Sequence, residues 1–255
     1  YLFIILFIKM DKKIFDLVYK SEKTYWWFVG QRFIVNKYLE KYYNYKKNLV
    51  ILDVGCGTGI NIKLLKEYGK TYGIDISNNA ITYCKINGIK NIKKSNVENI
   101  KFKNNMFDVV TSLGVFYHKG VVNDIKAMKE IYRVLKPGGR LFFLDCAMMC
   151  LHGKHDIIFH GIRRYSRSEL KSKLEKAGFK VEKISYINTF LFPIIYIKRQ
   201  LEKISSSKPK SEIQYTINPL ANFILKILYK AELSGLKYIN YPFGINIFAV
   251  AKKLE

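Results

Sequence analysis

Short apolar runs and amphipathic stretches alternate along most of the chain. The apolar runs predict strands at 49–54, 71–75, 89–94, 107–112, 139–145, 181–186 and 245–251. Helical periodicity between the early runs predicts helices at 58–68, 78–87 and 122–135. A further helix over 167–177 opens on Ser166 with Glu169 three residues on, the spacing of a capping box, and closes at Gly178. Ahead of the first strand, QRFIVNKYLEKYYNYKK sets Phe33, Ile34, Tyr38, Leu39 and Tyr42 on one helical stripe. Strand and helix in alternation predict an α/β fold, a doubly wound parallel sheet with helices on both faces.

The rhythm breaks at 187–244. TFLFPIIYIKRQLEKI is apolar and then amphipathic, SSSKPKSE is a polar linker, and NPLANFILKILYKAELSGL is a second amphipathic helix. The division that follows is an N-terminal extension (1–20), a core with an N-terminal lid (21–186), a helical insertion acting as a cap (187–244), and the final strand of the core (245–255). The segment 187–244 also has readings as a dimer surface or an interfacial membrane contact; the cap is preferred. The opening YLFIILFIKM is too short to span a bilayer, which takes about 20 residues. It also lacks the basic start and small-residue cleavage site of a signal peptide. Residues 1–9 precede Met10 and are expected to be dispensable.

Composition changes the picture in one respect. The 255 residues carry 44 Lys or Arg against 20 Asp or Glu, a formal charge of +24. Such a charge favours nucleic acid, an anionic membrane or another acidic partner. Because 37 of the basic residues are Lys, alongside abundant Ile, Asn, Tyr and Phe, biased codon usage explains the charge equally well. Four cysteines without a C-x-x-C fit reduced thiols in a cytoplasmic protein.

The most informative stretch is VILDVGCGTGINIKLLKEYGKTYGIDIS, Val50 to Ser77. A buried strand ends on Asp53, the turn Gly55-Cys56-Gly57-Thr58-Gly59 brings backbone close to a ligand, and a helix N-terminus follows. Asp75 ends the second strand, placed to accept from both hydroxyls of a ribose. In open α/β sheets ligands lie at this carboxyl edge. A dinucleotide site would read G-x-G-x-x-G around a pyrophosphate. Here the third glycine comes one residue early, and Asp53 would repel a pyrophosphate while favouring an ammonium.

With D-x-G-x-G-x-G, the strand-terminal Asp75 and the later EIYRVLKPGGRLFF, the chain resembles the class I S-adenosylmethionine-dependent methyltransferases, which share a Rossmann-like seven-stranded sheet. KKSNVENIKFKNNMFDVVTSLGVFYH resembles the family's third-strand loop and fourth strand. The early W-W-F-x-G-x-R, HDIIFHGIRRYSRSELKSKLEKAGFKVEKI and the closing P-F-G-x-x-x-x-x-V-A-K resemble a branch associated with small molecules and glycans. The resemblance implies S-adenosyl-L-methionine as cofactor. It implies that Gly55, Cys56, Gly57 and Gly59 hold the methionine portion, with Asp53 behind them. Asp75 takes the ribose, and Ile76, Asn96 and Val97 take the adenine. Ser112 and Leu113 face the amino-acid part. Asn96 stands where the family has Asp, and its side-chain oxygen can still accept a hydrogen bond.

On the acceptor side, His118 follows the fourth strand and is the candidate general base, with Tyr117 as an orienting group. Trp26, Trp27 and Arg32 form a candidate lid, the rings toward the sulfonium and the guanidinium toward the carboxylate. The family stretch implies that His155, Asp156, His160, Arg164 and Tyr165 line the acceptor pocket, although the family's histidine would fall at Gly161. The series Cys146, Cys150, His152, His155, Asp156 and His160 fits no standard zinc spacing, so no metal is expected. The expected activity is methyl transfer to a small-molecule, glycan or lipid-linked acceptor. An RNA methyltransferase, favoured by charge alone, and a non-catalytic cofactor-binding subunit are the alternatives.

Overall fold

The computed structural model describes residues 12–204 and 217–254; residues 1–9, Met10 and the whole SSSKPKSE linker lie outside this range. Seven strands form one sheet: β1 (Leu49–Val54), β2 (Gly69–Asp75), β3 (Ile92–Lys94), β4 (Phe107–Leu113), β5 (Leu135–Cys146), β6 (Phe179–Ile187) and β7 (Asn246–Lys253). Their order is β3-β2-β1-β4-β5-β7-β6. β7 runs antiparallel to both of its neighbours, and the other pairings are parallel. The chain order reverses between β1 and β4, which opens a crevice at their carboxyl ends.

Nine helices of α type are described: α1 (Lys12–Ser21), α2 (Trp26–Tyr43), α3 (Ile60–Leu65), α4 (Asn78–Ile86), α5 (Asp124–Val134), α6 (Lys154–Ile158), α7 (Arg167–Lys176), α8 (Phe192–Ile204) and α9 (Pro219–Gly235). Apolar side chains leave both faces of the central strands, as a doubly covered parallel sheet requires. Leu52, Val110 and Phe143 pack with Ile131 of α5 and with Leu170 and Leu174 of α7. Ile51, Val109, Phe142 and Phe248 pack on the other face with Ile34 and Leu39 of α2 and with Tyr229 and Leu233 of α9. Each such side chain, fully buried, contributes roughly 1.5–3 kcal/mol.

The structure revises several expected boundaries. The helix expected over 58–68 is α3 followed by a 3-10 turn at Lys66–Tyr68. β5 begins at Leu135, four residues before the expected start, because Leu135 pairs with Phe107 across a register shift. β3 covers only Ile92–Lys94; Ile89 is buried beside Cys56, Ile62 and Cys84 instead of pairing in the sheet. α2 starts at Trp26, so the aromatic segment is helical. Ser166 caps α7 as expected, its Oγ accepting from Glu169 N at 3.2 Å.

The expected cap is only partly a cap. α9 is a layer of the core, seated on α2: a Cβ at Gly30 would lie 2.1 Å from the buried Tyr229 ring, so only glycine permits this approach. Asn222 fixes the pair, accepting from Trp26 N at 2.9 Å and donating to Thr24 O at 3.0 Å. α8 is the helix that reaches the segment following β5, where Gln200 Nε2 and Lys203 Nζ both donate to Cys150 O.

Candidate functional site

The glycine turn leaves β1 with three left-handed residues, Gly55 at φ 66°, Gly57 at φ 54° and Gly59 at φ 84°. Any side chain at Gly55 would also sit 2.4 Å from Val115, so the turn is pressed against the loop that follows β4. The turn amides depart from expectation. Gly55 N and Cys56 N donate to Ile74 O at 2.8 and 3.0 Å, and Gly57 N donates to Asp75 Oδ2 at 3.0 Å. Asp75 also accepts from Ser77 N at 2.8 Å. These donors are therefore spent within the protein, and Asp75 braces the turn in addition to ending β2. Each carboxylate oxygen keeps a second lone pair for a ligand hydroxyl.

At the crevice between β1 and β4 the polar groups are less complete. Asp53 is buried, and its Oδ1 accepts from Thr111 Oγ1 at 2.6 Å across the β1–β4 pairing. Its Oδ2 has no partner. Burial pushes the Asp53 carboxyl up to about 7, against the Thr111 bond. Ser112 Oγ, at the end of β4, is buried and also unpartnered.

The chain just before the expected lid supplies two more such groups. Glu22 follows α1, is buried, and accepts a short hydrogen bond from Thr58 of the glycine turn, while its Oε1 has no partner. Burial raises its carboxyl to about 7, partly offset by Thr58 and by the Arg32 charge. Arg32 donates Nη2 to Lys23 O at 3.2 Å and leaves a buried Nη1 without a partner. It borders a narrow void shared with Thr111 and Leu113. Glu22 was not singled out from the sequence. A lone glutamate in SEK carries no motif, and only the packing of α1 on α4 through Phe15 and Tyr83 delivers it to the turn.

Trp26 and Trp27 take a different place from the one expected. Their ring centroids lie 5.4 and 5.7 Å from Tyr229, in the layer between α2 and α9. Among the adenine candidates, Val97 is buried with Leu52, Val54 and Ile74. Asn96 Oδ1 accepts from Glu98 N at 2.9 Å, which shapes the loop after β3, and Ile76 remains partly exposed beside Asp75.

The loop after β4 is organised by a residue with no sequence motif, Asp145. This fully buried carboxylate near the end of β5 accepts from Val115 N at 3.2 Å and Phe116 N at 2.7 Å through Oδ2. Its Oδ1 accepts from Tyr117 N at 3.1 Å and Cys146 N at 2.7 Å. One side chain thus fixes the whole loop after β4. Burial holds the Asp145 carboxyl up to about 7 even against these bonds.

The fixed loop pairs with a second one. Ile162 N donates to Tyr117 O at 2.8 Å and Lys119 N to His160 O at 2.9 Å, with His118 opposite Gly161. Tyr117, His118 and His160 therefore come together, the two imidazole centroids 5.8 Å apart. Gly161 is required here because a Cβ would meet the Tyr117 ring at 2.7 Å. His118 Nδ1 accepts from Gly120 N at 2.9 Å, so the neutral ring carries its proton on Nε2, which is buried and unpartnered. Burial, then His160 and Lys119, lower the His118 pKa to about 4.

Asp156, Arg164 and Tyr165 are corrected from pocket lining to framework. Arg164 Nε donates to Asp156 Oδ1 at 2.9 Å, with both side chains buried, and Arg164 Nη1 donates to Ala147 O at 3.0 Å. Gly153 N donates to Asp156 Oδ2 at 2.9 Å, so the pair staples the 153–164 loop to the end of β5. Their burial and these bonds give the pair a structural task, holding this loop in place. Tyr165 is fully buried and donates its hydroxyl to Asp124 at 3.0 Å. The His155 ring packs at a tilt of 47° against Phe159, with centroids 4.6 Å apart. Among the described residues no group of three or more His, Cys, Asp or Glu is arranged to hold a metal ion.

A glycine turn and acidic strand ends at the switch point of a seven-stranded sheet with one antiparallel strand define a class of nucleoside-binding α/β protein. Residues 52–143 match the sequence profile of the methyltransferase domain family. An uncharacterised protein of Methanocaldococcus jannaschii is 37% identical over 154 residues, covering 60% of this chain and 63% of that one. The chain thus spans less than two thirds of that relative. A ubiquinone/menaquinone biosynthesis C-methyltransferase of Campylobacter jejuni is 27% identical over 227 residues, covering 82% and 80% of the two chains. In fold, the chain is similar to phosphoethanolamine N-methyltransferase 2 of Haemonchus contortus in complex with S-adenosyl-L-methionine, with TM-score 0.55 and 20% identity over 85% of this chain and 51% of that one. A methyltransferase-domain profile over residues 52–143 and a methyltransferase-like fold thus meet at the same crevice, and S-adenosyl-L-methionine is the cofactor they imply.

The residues present fit that cofactor. Asp53 Oδ2, Glu22 Oε1, Ser112 Oγ and Arg32 Nη1 are buried, unpartnered atoms on the segments that meet at the β1–β4 crevice. Buried polar atoms are almost always paired, so such a gathering calls for a polar ligand. Carboxylates suit an ammonium and a guanidinium suits a carboxylate, the two charges of a methionine end.

Proposed function

We propose that the protein transfers the methyl group of S-adenosyl-L-methionine to a small-molecule, glycan or lipid-linked acceptor. The observation that carries this reading is the set of orphaned polar atoms at the β1–β4 crevice, directly beside the loop that Asp145 fixes. The cofactor supplies an electrophilic methyl on sulfur, and the chain's residues hold the reactants in line. Positioning of this kind supplies roughly 7–11 kcal/mol of barrier reduction in favourable cases.

In this reading Asp53 and Glu22 take the ammonium, Arg32 the carboxylate and Asp75 the ribose, with Ile76, Asn96 and Val97 around the base. Gly55, Cys56, Gly57 and Gly59 shape the turn and contact the cofactor through carbonyl and Cα atoms. Glu22 meets the ligand through its free Oε1 while Oε2 keeps Thr58, so the segment joining α1 to α2 closes one side of the site. Tyr117 and His118 face the acceptor. With Nδ1 occupied by Gly120 N, His118 presents Nε2–H and acts as a hydrogen-bond donor to an acceptor oxygen. This replaces the general-base role expected from its position.

The test is transfer of a labelled methyl group into fractionated cell extracts. Label in a small-molecule, glycan or lipid fraction supports the proposal. Label in RNA supports the nucleic-acid alternative, and binding of cofactor without any transfer supports the non-catalytic subunit.

A further inference from the structure

We infer that α8 and α9 form an interfacial docking face for an anionic lipid bilayer. α8 has thirteen residues and buries none of them. Yet Ile194, Ile197, Leu201 and Ile204 recur at helical spacing, forming one outward stripe whose members are 59% to 81% exposed. α9 repeats the device. Tyr229, Glu232 and Leu233 are buried, while Leu220, Phe223 and Ile227 form a stripe on the opposite side, each more than half exposed. A helix packed on a core turns its polar side to water. Each of these two helices turns an apolar stripe outward, and clustered exposed apolar surface marks an interaction site.

Charge selects the occupant. Residues 187–244 contain eight Lys or Arg and three Glu. Of the glutamates, Glu202 is held by Arg199 at 2.6 Å and Glu232 is buried on Thr189 N at 3.0 Å. A second copy docked through the same segment would set its own eight Lys or Arg and three Glu against these, whereas an anionic surface is complementary to them. Among the described residues no helix is long and apolar enough to cross a membrane, so the contact is interfacial: apolar stripes enter the acyl boundary and lysines meet the headgroups. α8 also touches the segment after β5 through Cys150, which ties the docking face to the acceptor side of the sheet.

The experiment is co-sedimentation of the full chain with vesicles of phosphatidylcholine alone or with phosphatidylglycerol. A fourfold variant, Ile197→Glu, Leu201→Glu, Phe223→Glu and Ile227→Glu, is compared in parallel. All four positions are exposed, so the variant should keep its melting temperature and its affinity for S-adenosylhomocysteine. The expected result is at least tenfold tighter binding to the anionic vesicles, weakened by salt and lost in the variant. Equal binding to both vesicles, or an unaltered variant, overturns the proposal. So does a wild-type dimer that the variant converts to monomer, because a second copy then covers the face. Loss of binding on deleting residues 1–9, with the variant still bound, assigns the contact to that segment and also overturns it. None of these outcomes depends on methyl transfer, so failure here leaves the proposed activity untouched.

Discussion

Replacing Asp145 with alanine should be the most damaging single change near the acceptor loop. The carboxylate is fully buried and receives four backbone N–H groups, from Val115, Phe116, Tyr117 and Cys146, at 2.7 to 3.2 Å. Truncation strands all four donors at once. A buried donor left without an acceptor costs roughly 1–3 kcal/mol, and water entering the vacated space recovers part of that. The expected loss is about 3–5 kcal/mol, a large share of the 5–15 kcal/mol typical of a folded domain. Asp145→Asn keeps the volume and one acceptor oxygen but turns an amide N–H₂ toward existing donors, so its loss should be smaller. Urea unfolding followed by tryptophan fluorescence measures both. Methyl transfer should fall further than cofactor affinity if, as proposed, the loop faces the acceptor. An Asp145→Ala protein within about 1 kcal/mol of wild type would refute the account of this loop.

Asp53 and Glu22 have folded pKa values raised to about 7, from ordinary values of 3.8 and 4.5. A raised carboxyl stabilises the fold fully below its ordinary pKa and loses that contribution as pH climbs through 7. The ligand-free protein should therefore lose stability between about pH 4 and 7, whereas affinity for a ligand bearing an ammonium should rise over about pH 6 to 7.5 with proton release. Calorimetry in two buffers of different ionisation heat reads the released protons. His118→Ala should lower turnover by about tenfold, the worth of one neutral hydrogen bond, with cofactor affinity unchanged. A far larger loss accompanied by a vanished pH limb would restore the general base.

The inner strands were legible in the sequence because strands buried on both faces read as largely apolar runs, whereas the edge strands β3 and β6 carry exposed lysines and read less clearly. β5 was read short because Lys136-Pro137-Gly138-Gly139 looks like a turn, yet its start pairs with Phe107 across a bulge. α6, only Lys154–Ile158, is too brief to show a period. The glycine turn was legible because positive φ and close approach leave a signature in residue type. Asp145 and Glu22 left none: a single carboxylate in an apolar strand or a polar turn means something only once its backbone partners are known. Asp156 and Arg164 misled for the same reason, being polar residues in an expected pocket stretch that folding pairs with each other.

The central claim is that the β1–β4 crevice holds S-adenosyl-L-methionine, and titration calorimetry of the full chain with S-adenosylhomocysteine tests it most directly. The account predicts one-to-one binding, no response to NAD, and a loss of about 1–3 kcal/mol of affinity in Asp75→Ala, the usual worth of hydrogen bonds to a charged group. Binding of NAD with no response to S-adenosylhomocysteine would contradict it.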